Sequence, residues 1–222
     1  MELLFDLDGT LIDSREGIVR CIQHALDHLG RSIPPGLDLA RYVGPPLPAA
    51  FGSLLDTTES TLVEQAVTAY RDRFERVGIF ENSVFPGIAA ALATFQSAGD
   101  TLHVVTAKPA AYARRILEHL GIAQHFHAVH GPELHDRHYT KESLIREALM
   151  RYDISRNAVM IGDRGEDILG ARVNGLGSIA VAWGYGSPDE LGVAGPQYVV
   201  NSPLELVDVI ERQRREMSEA RV

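Results

Sequence analysis

This sequence predicts an α/β fold, a doubly wound parallel sheet covered by helices on both faces, and three observations carry that expectation. Several short apolar runs lack the polar alternation of a half-exposed sheet, notably Leu3-Leu4-Phe5, Leu102-His103-Val104-Val105 and Val159-Met160-Ile161. From Pro86-Gly87 onward such runs alternate with stretches of helical periodicity. Polar residues capable of chemistry follow directly after the runs, as expected where ligands bind outside the carboxyl ends of parallel strands. With 222 residues, 45% hydrophobic and 23% charged, the chain has the composition of an ordinary globular protein with room for a full core.

Residues 2–7 form the first predicted strand. The period then changes. Ile18, Ile22, Ala25, Leu26 and Leu29 share one helical face, with Asp13 or Ser14 as N-cap and Gly30 just past the end. Pro34-Pro35-Gly36 and Gly44-Pro45-Pro46 read as loops. A longer helix is predicted around 58–77, with the stripe Leu62, Ala66, Tyr70, Phe74 and Val77. No strand is legible between residues 14 and 80, so 15–81 reads as a helical insert between two parts of a core, 1–14 and 82–222. Beyond it the predicted elements are helix 88–98, strand 101–105, a helix from Pro109 to Gly121, strand 126–130, helix 141–152, strand 158–161, helix 165–173, strands 178–182 and 198–200, and a helix from Pro203. The highly charged last dozen residues are expected to fray.

Charge and composition narrow the function. A formal net charge of −9 argues against binding to a nucleic acid polymer or an anionic membrane, since both need basic patches. The same charge repels anionic substrates, so any phosphate ligand must be drawn by a local cation. No apolar run is long enough to span a bilayer and no signal peptide precedes the first motif, which makes cytoplasmic the expected location. Cys21, the single cysteine, excludes an internal disulfide, fits a reducing compartment and reads as a small buried hydrophobe.

The densest chemistry lies in Phe5-Asp6-Leu7-Asp8-Gly9-Thr10. In an extended segment residues i and i+2 point the same way, so Asp6 and Asp8 both address the space beyond the strand. Two carboxylates that close need a cation between them or a shared proton. Mg²⁺, a hard ion that prefers oxygen ligands, is the expected occupant. Three further segments end at the same sheet edge: Thr106 after the 102–105 run, Lys141 at a helix start, and Gly162-Asp163-Arg164-Gly165-Glu166-Asp167 after the 159–161 run. Singly, Thr106 reads as a strand-end residue, Lys141 as a solvated lysine and Asp167 as compensation for a helix dipole; their joint order gives them weight. Six of the nine histidines fall between His119 and His138, and His125 and His127 are expected to share a strand face. With no cysteine nearby and no His-x-x-x-His spacing, the hard-oxygen site is the better metal candidate.

The order of these motifs is similar to that of the haloacid dehalogenase-like (HAD) superfamily, in the branch with phosphoglycolate phosphatases and 5′-nucleotidases. The resemblance covers nearly the whole chain and extends to Tyr42-Val43-Gly44-Pro45-Pro46-Leu47, Val105-Thr106-Ala107-Lys108-Pro109 and Trp183-Gly184-Tyr185-Gly186. It implies a Rossmann-like core and an α-helical cap domain of the C1 type, inserted after the first strand and falling on 15–81. It also implies roles. Asp6 would be the nucleophile that forms an aspartyl-phosphate, and Asp8 the group that protonates the leaving alkoxide and then activates water. Mg²⁺ would be held by Asp6, the backbone carbonyl of Asp8 and Asp163, with Asp167 orienting a metal water or Lys141. Thr106 and Lys141 would bind the phosphoryl oxygens. Arg41 and Gly44 would read the leaving group or belong to a rigid Pro/Gly loop needed only for shape, and Lys108 would touch substrate or bridge to the cap.

The activity implied is Mg²⁺-dependent hydrolysis of a small phosphorylated metabolite, either phosphoglycolate or a nucleoside 5′-monophosphate. A sugar-phosphate mutase of the β-phosphoglucomutase type uses the same core and stays open. A receiver-like signalling module fits poorly, because receivers are about half this length, lack a helical insert and take phosphate on an Asp after a central strand. Monomer and homodimer are both open.

Overall fold

The computed structural model describes residues 1–33, 36–43, 46–134, 136 and 138–219, with the backbone alone at residues 40 and 41. The chain divides into two compact units, Met1–Asp13 with Val84–Val222, and Ser14–Ser83. The short strands β2 (Ile12–Asp13) and β3 (Ser83–Val84) lie at the division.

The first unit is built on a six-stranded sheet among the described residues. Its strands are β1 (Glu2–Phe5), β4 (Thr101–Val105), β5 (Ala128–His130), β6 (Val159–Gly162), β7 (Gly177–Val181) and β8 (Tyr198–Val200). Their order is β5-β4-β1-β6-β7-β8, and every neighbouring pair is parallel. The apolar runs are buried along their lengths, as a sheet covered on both faces requires: Leu3, Leu4, Val104, Val105, Met160 and Ile161 have no exposure. Each such side chain contributes roughly 2 kcal/mol of burial. The α/β expectation is met, and the sheet order reverses at β1. Ligands in open α/β sheets bind at that switch point, outside the carboxyl ends of the strands. The ends of β1, β4 and β6 are therefore the place to look for chemistry.

The covering helices are α4 (Ile88–Ser97), α5 (Ala110–His119), α6 (Lys141–Arg151), α7 (Gly165–Val173), α8 (Pro188–Ala194) and α9 (Pro203–Glu219). One part of the core packs α6 residues Leu144, Ile145 and Ala148 with Leu4, Val105, Met160 and Ala171. Two expectations change here. The 190s carry a helix, α8, that apolar periodicity does not reveal because it is only seven residues long, with Leu191 and Ala194 buried. The charged carboxyl-terminal segment does not fray within the described residues: α9 runs to Glu219, with Leu206, Val209 and Ile210 buried and Arg214 bonded to buried Asp100.

The second unit is helical. Helices α1 (Arg15–His28), α2 (Leu47–Leu54) and α3 (Ser60–Arg76) are its regular elements among the described residues. Ile18, Cys21, Ile22, Ala25 and Leu26 form the buried stripe of α1. On α3 the buried set is Ala66, Val67, Ala69, Tyr70 and Phe74, with Tyr70 stacked on Phe74 and edge-on to Phe51 of α2. Val77, expected on that stripe, is 47% exposed because the helix ends at Arg76 and Val77 turns away as its cap. Cys21 is buried, and its Sγ accepts a bond from Arg73 at 3.2 Å.

Candidate active site

Asp6 leaves the end of β1 still tied to β6, its amide donating to the carbonyl of Ile161 at 2.9 Å. Its neighbour across the site is Lys141, whose place follows from local sequence. Thr140 caps α6 in a reciprocal box, its Oγ1 accepting from the Ser143 amide while the Ser143 hydroxyl accepts from the Thr140 amide. The cap makes Lys141 the first residue of α6. A cation there opposes the helix dipole, so other charges must hold it. They are close: Lys141 Nζ donates to Asp6 Oδ1 at 2.5 Å, to Asp167 Oδ1 at 2.7 Å and to the Val105 carbonyl at 2.9 Å. All three ammonium protons are thus used.

The turn after Asp8 brings a second set of donors. Gly9 has φ +84°, and a Cβ there would stand 2.2 Å from Asp163 Oδ2, so only glycine lets the turn approach this closely. Thr10 Oγ1 donates to Asp163 Oδ1 at 3.2 Å, and the amide of Tyr185 donates to Asp163 Oδ2 at 2.7 Å. Asp163 has no exposure. Asp167 sits on the first turn of α7, where its Oδ2 accepts from the Arg164 amide at 3.1 Å. It therefore caps its own helix and also pairs with Lys141.

Ligand atoms of Asp6, Asp163 and Asp167 all lie within 4.8 Å of one another. Fully ionised, three buried carboxylates against one ammonium would leave two negative charges, and the titration behaviour reflects that cost. Burial pushes Asp6 up to about 8 against the pull of Lys141, with Asp167 and Asp163 adding to the rise. Burial likewise pushes Asp163 up to about 7, and Asp167 adds to it. Burial would lower Lys141, but Asp167 and Asp6 outweigh it and raise that group. A divalent cation supplies the two charges this cluster lacks, and an all-oxygen donor set suits a hard ion. The residues fit such a metal.

The other expected residues fall into three groups. Thr106 is buried at the end of β4, its Oγ1 accepting from the Lys108 amide at 3.1 Å. Asp8 stands outside the three-carboxylate group; its Oδ2 pairs with Lys108 Nζ at 3.1 Å, while its Oδ1 is buried with no hydrogen-bond partner among the described residues. Lys108 is thus placed against Asp8. Gly44 lies outside the described residues, and Arg41 is described by its backbone alone, in the 3-10 turn Leu39–Tyr42. The histidines do not form the expected strand face. His125 sits in the 3-10 turn Ala123–His125 bonded to Gln96, and His127 precedes β5. Residue-by-residue reading gave Thr10 and Tyr185 no role of their own and Asp13 only that of a candidate helix cap; the glycines on both sides of Tyr185, just beyond an apolar run, were the available signal.

A family model described as haloacid dehalogenase-like hydrolase matches residues 3–181. The chain belongs to this family. Haloacid dehalogenase-like hydrolases of the phosphatase kind generally use a divalent metal, in keeping with the acidic cluster. The chain is 42% identical over 210 residues to the 5′-nucleotidase of Pseudomonas aeruginosa, covering 94% of this chain and 95% of that one. It is 41% identical over 189 residues to the tyrosine-protein kinase PtkA of Mycobacterium tuberculosis, covering 84% of this chain but 64% of PtkA. Among solved structures, that of a predicted phosphatase from Clostridium acetobutylicum aligns with a TM-score of 0.87 at 41% identity, over 95% of this chain and 98% of that one. The protein is a phosphoric monoester hydrolase, of a phosphatase family that acts on small phosphorylated substrates. No helix among the described residues is long and apolar enough to cross a membrane.

Proposed function

We propose that the protein is a Mg²⁺-dependent phosphatase that hydrolyses nucleoside 5′-monophosphates through an aspartyl-phosphate on Asp6. The observation that carries this reading is the convergence of Asp6, Asp163 and Asp167, three buried carboxylates, with Lys141, one ammonium, at the sheet's switch point. The near full-length relative named 5′-nucleotidase favours nucleotides over phosphoglycolate, the other substrate class the family resemblance implies.

On this reading Lys141 holds one oxygen of Asp6 and lowers the repulsion an incoming phosphate meets. The other oxygen of Asp6 attacks phosphorus, the phosphorus–ester oxygen bond breaks, and Asp8 gives its proton to the leaving alkoxide. Asp8 next takes a proton from water as that water attacks phosphorus, releasing inorganic phosphate and restoring the Asp6 carboxylate. Lys108 contacts Asp8 Oδ2, which leaves Oδ1 to carry the proton given up in the first step and taken back in the second, and Thr106 donates to a phosphoryl oxygen. Asp6, Asp163 and the backbone carbonyl of Asp8 would hold Mg²⁺, whose charge stabilises the transferring group.

Phosphate release from nucleoside 5′-monophosphates and phosphoglycolate, with Mg²⁺ and after EDTA, tests the reading. Metal-dependent release, fastest with nucleotides and needing no bisphosphate activator, is expected; release unaffected by EDTA would overturn the metal role. Acid quenching of Asp8→Asn with a nitrophenyl phosphate, whose leaving group needs no acid, should trap phosphate on the peptide containing Asp6. Finding it elsewhere, or nowhere, would overturn the covalent route.

A further inference from the structure

The loop between β7 and α8 grips the metal-side carboxylate and the outgoing turn of β1 together. Trp183 Nε1 donates to the Thr10 carbonyl at 3.0 Å, and the Tyr185 hydroxyl donates to Asp13 Oδ1 at 2.9 Å. Between these two anchors the Tyr185 amide donates to Asp163 Oδ2 at 2.7 Å. The loop lies directly on Asp163. A Cβ at Gly184 would stand 2.3 Å from Asp163 Cβ, and one at Gly186 would stand 1.9 Å from the Asp163 carbonyl. Meanwhile Thr10 Oγ1 holds the other carboxylate oxygen. Each oxygen of Asp163 is thus fixed by a donor from a different loop, and each keeps a lone pair for a further partner. Asp13 ends β2 and is the last residue before the second unit begins.

We infer that Tyr185 is a positioning residue for the metal: its phenol, anchored on Asp13, fixes the loop whose amide sets the direction of Asp163. A bond from a phenol to an ionised carboxylate is among the stronger hydrogen bonds, so the anchor holds the loop well. Donors that orient a metal-binding carboxylate govern metal affinity without touching the ion. The inference rests on Asp163 holding Mg²⁺, as proposed above.

Isothermal titration of Mg²⁺ into the whole protein tests it, using wild type, Tyr185→Phe, Asp13→Ala and the double variant. Tyr185→Phe removes one oxygen and leaves the amide bond to Asp163 in place; Asp13→Ala removes the same bond from its other end, so either variant suffices should one fold poorly. The expected result is a Kd for Mg²⁺ raised roughly 10-fold in each single variant. The double variant should lie nearer the larger single effect than the product of the two, because the phenol–carboxylate bond the two residues share can be lost only once. Saturating Mg²⁺ should return kcat of Tyr185→Phe to within about twofold of wild type, with KM for substrate unchanged, a pattern that loss of packing would not give. A wild type that binds Mg²⁺ and a Tyr185→Phe variant of equal affinity would overturn this inference and leave the proposed function standing. Multiplying effects would overturn it too. A wild type that binds no Mg²⁺ would overturn both.

Discussion

In the first unit Lys141 stands between Asp6 and Asp167, all three buried, with Asp163 beside them. In the second unit Arg73 and Arg20 share Glu81, and Arg20 reaches Glu16 as well. The residue types are alike, but the balance is not. Two guanidinium groups face two carboxylates in the second unit, and Arg20 and Glu16 are 55% and 63% exposed. The bond from Arg73 holds Glu81 below the usual carboxylate range. In the first unit the carboxylates outnumber the cation and burial drives Asp6 and Asp163 upward. An arrangement selected for stability would not bury three carboxylates around one ammonium. A carboxylate raised by burial, beside another raised the same way, marks a site that binds something; a carboxylate lowered by its arginine marks a joint.

The sharpest way to break this comparison is Asp6→Asn, which keeps shape and removes the oxygen proposed to attack. Turnover of a chromogenic phosphomonoester should fall by a factor on the order of 10³ or more, with the far-UV circular dichroism unchanged. A loss below tenfold would mean that another group attacks phosphorus. Lys141→Met comes next. It leaves Asp6 and Asp167 facing each other without their cation, and breaking a buried pair in this way costs about 3–5 kcal/mol. Urea unfolding in EDTA reads that loss directly; a change under about 1 kcal/mol would show that the cluster is not strained by its charge.

The charge imbalance also has a pH signature. Asp6 and Asp163 sit near 8 and 7 in the folded chain against 3.8 ordinarily. Between those values the metal-free folded state holds more protons than the unfolded one. The stability these groups contribute is therefore fully present in acid and is lost as pH rises through the folded values. Mg²⁺ binds the ionised form, so the rise in Tm on adding Mg²⁺ should be larger at pH 8 than at pH 6. Equal increments, or a larger one at pH 6, would contradict the raised values.

Asp6, Asp8, Thr106, Lys141 and Asp163 were legible in the sequence because each follows an apolar run or opens a helix, and parallel sheets gather such positions at one edge. The order of the strands was not legible: nothing local says that β1 lies between β4 and β6, since pairing partners such as Leu3 and Val159 lie 156 positions apart. Tyr185 and Asp13 were hidden for a related reason, their bond spanning 172 positions. Helix α8 was a different kind of miss. Ser187-Pro188-Asp189-Glu190 is a helix-start signature, and the Ser187 hydroxyl does accept from the Glu190 amide, but seven residues leave too little periodicity to read. The same shortness hid α2.

The smallest effect belongs to the joint in the second unit, and it should carry the opposite pH sign. Glu81 accepts from Arg73 at 2.7 and 3.0 Å and from Arg20 at 2.8 Å. Its lowered value, against 4.5 ordinarily, means that the unfolded chain takes up the proton first. The stability Glu81 supplies is thus fully present above about 4.5 and fades as pH falls through its folded value. Glu81→Gln keeps the shape and removes the charge, so at pH 7 it should cost about 1 kcal/mol, at the upper end for a partly exposed pair. The gap between variant and wild type should narrow on acidification, whereas the gap between EDTA and Mg²⁺ narrows for a different reason, protonation of the site. Running the pH series in EDTA separates the two: the Glu81→Gln difference should keep its size and its acid dependence there, because the arginines do not depend on the metal. If EDTA changes it, the two clusters are coupled and the contrast between a site and a joint fails.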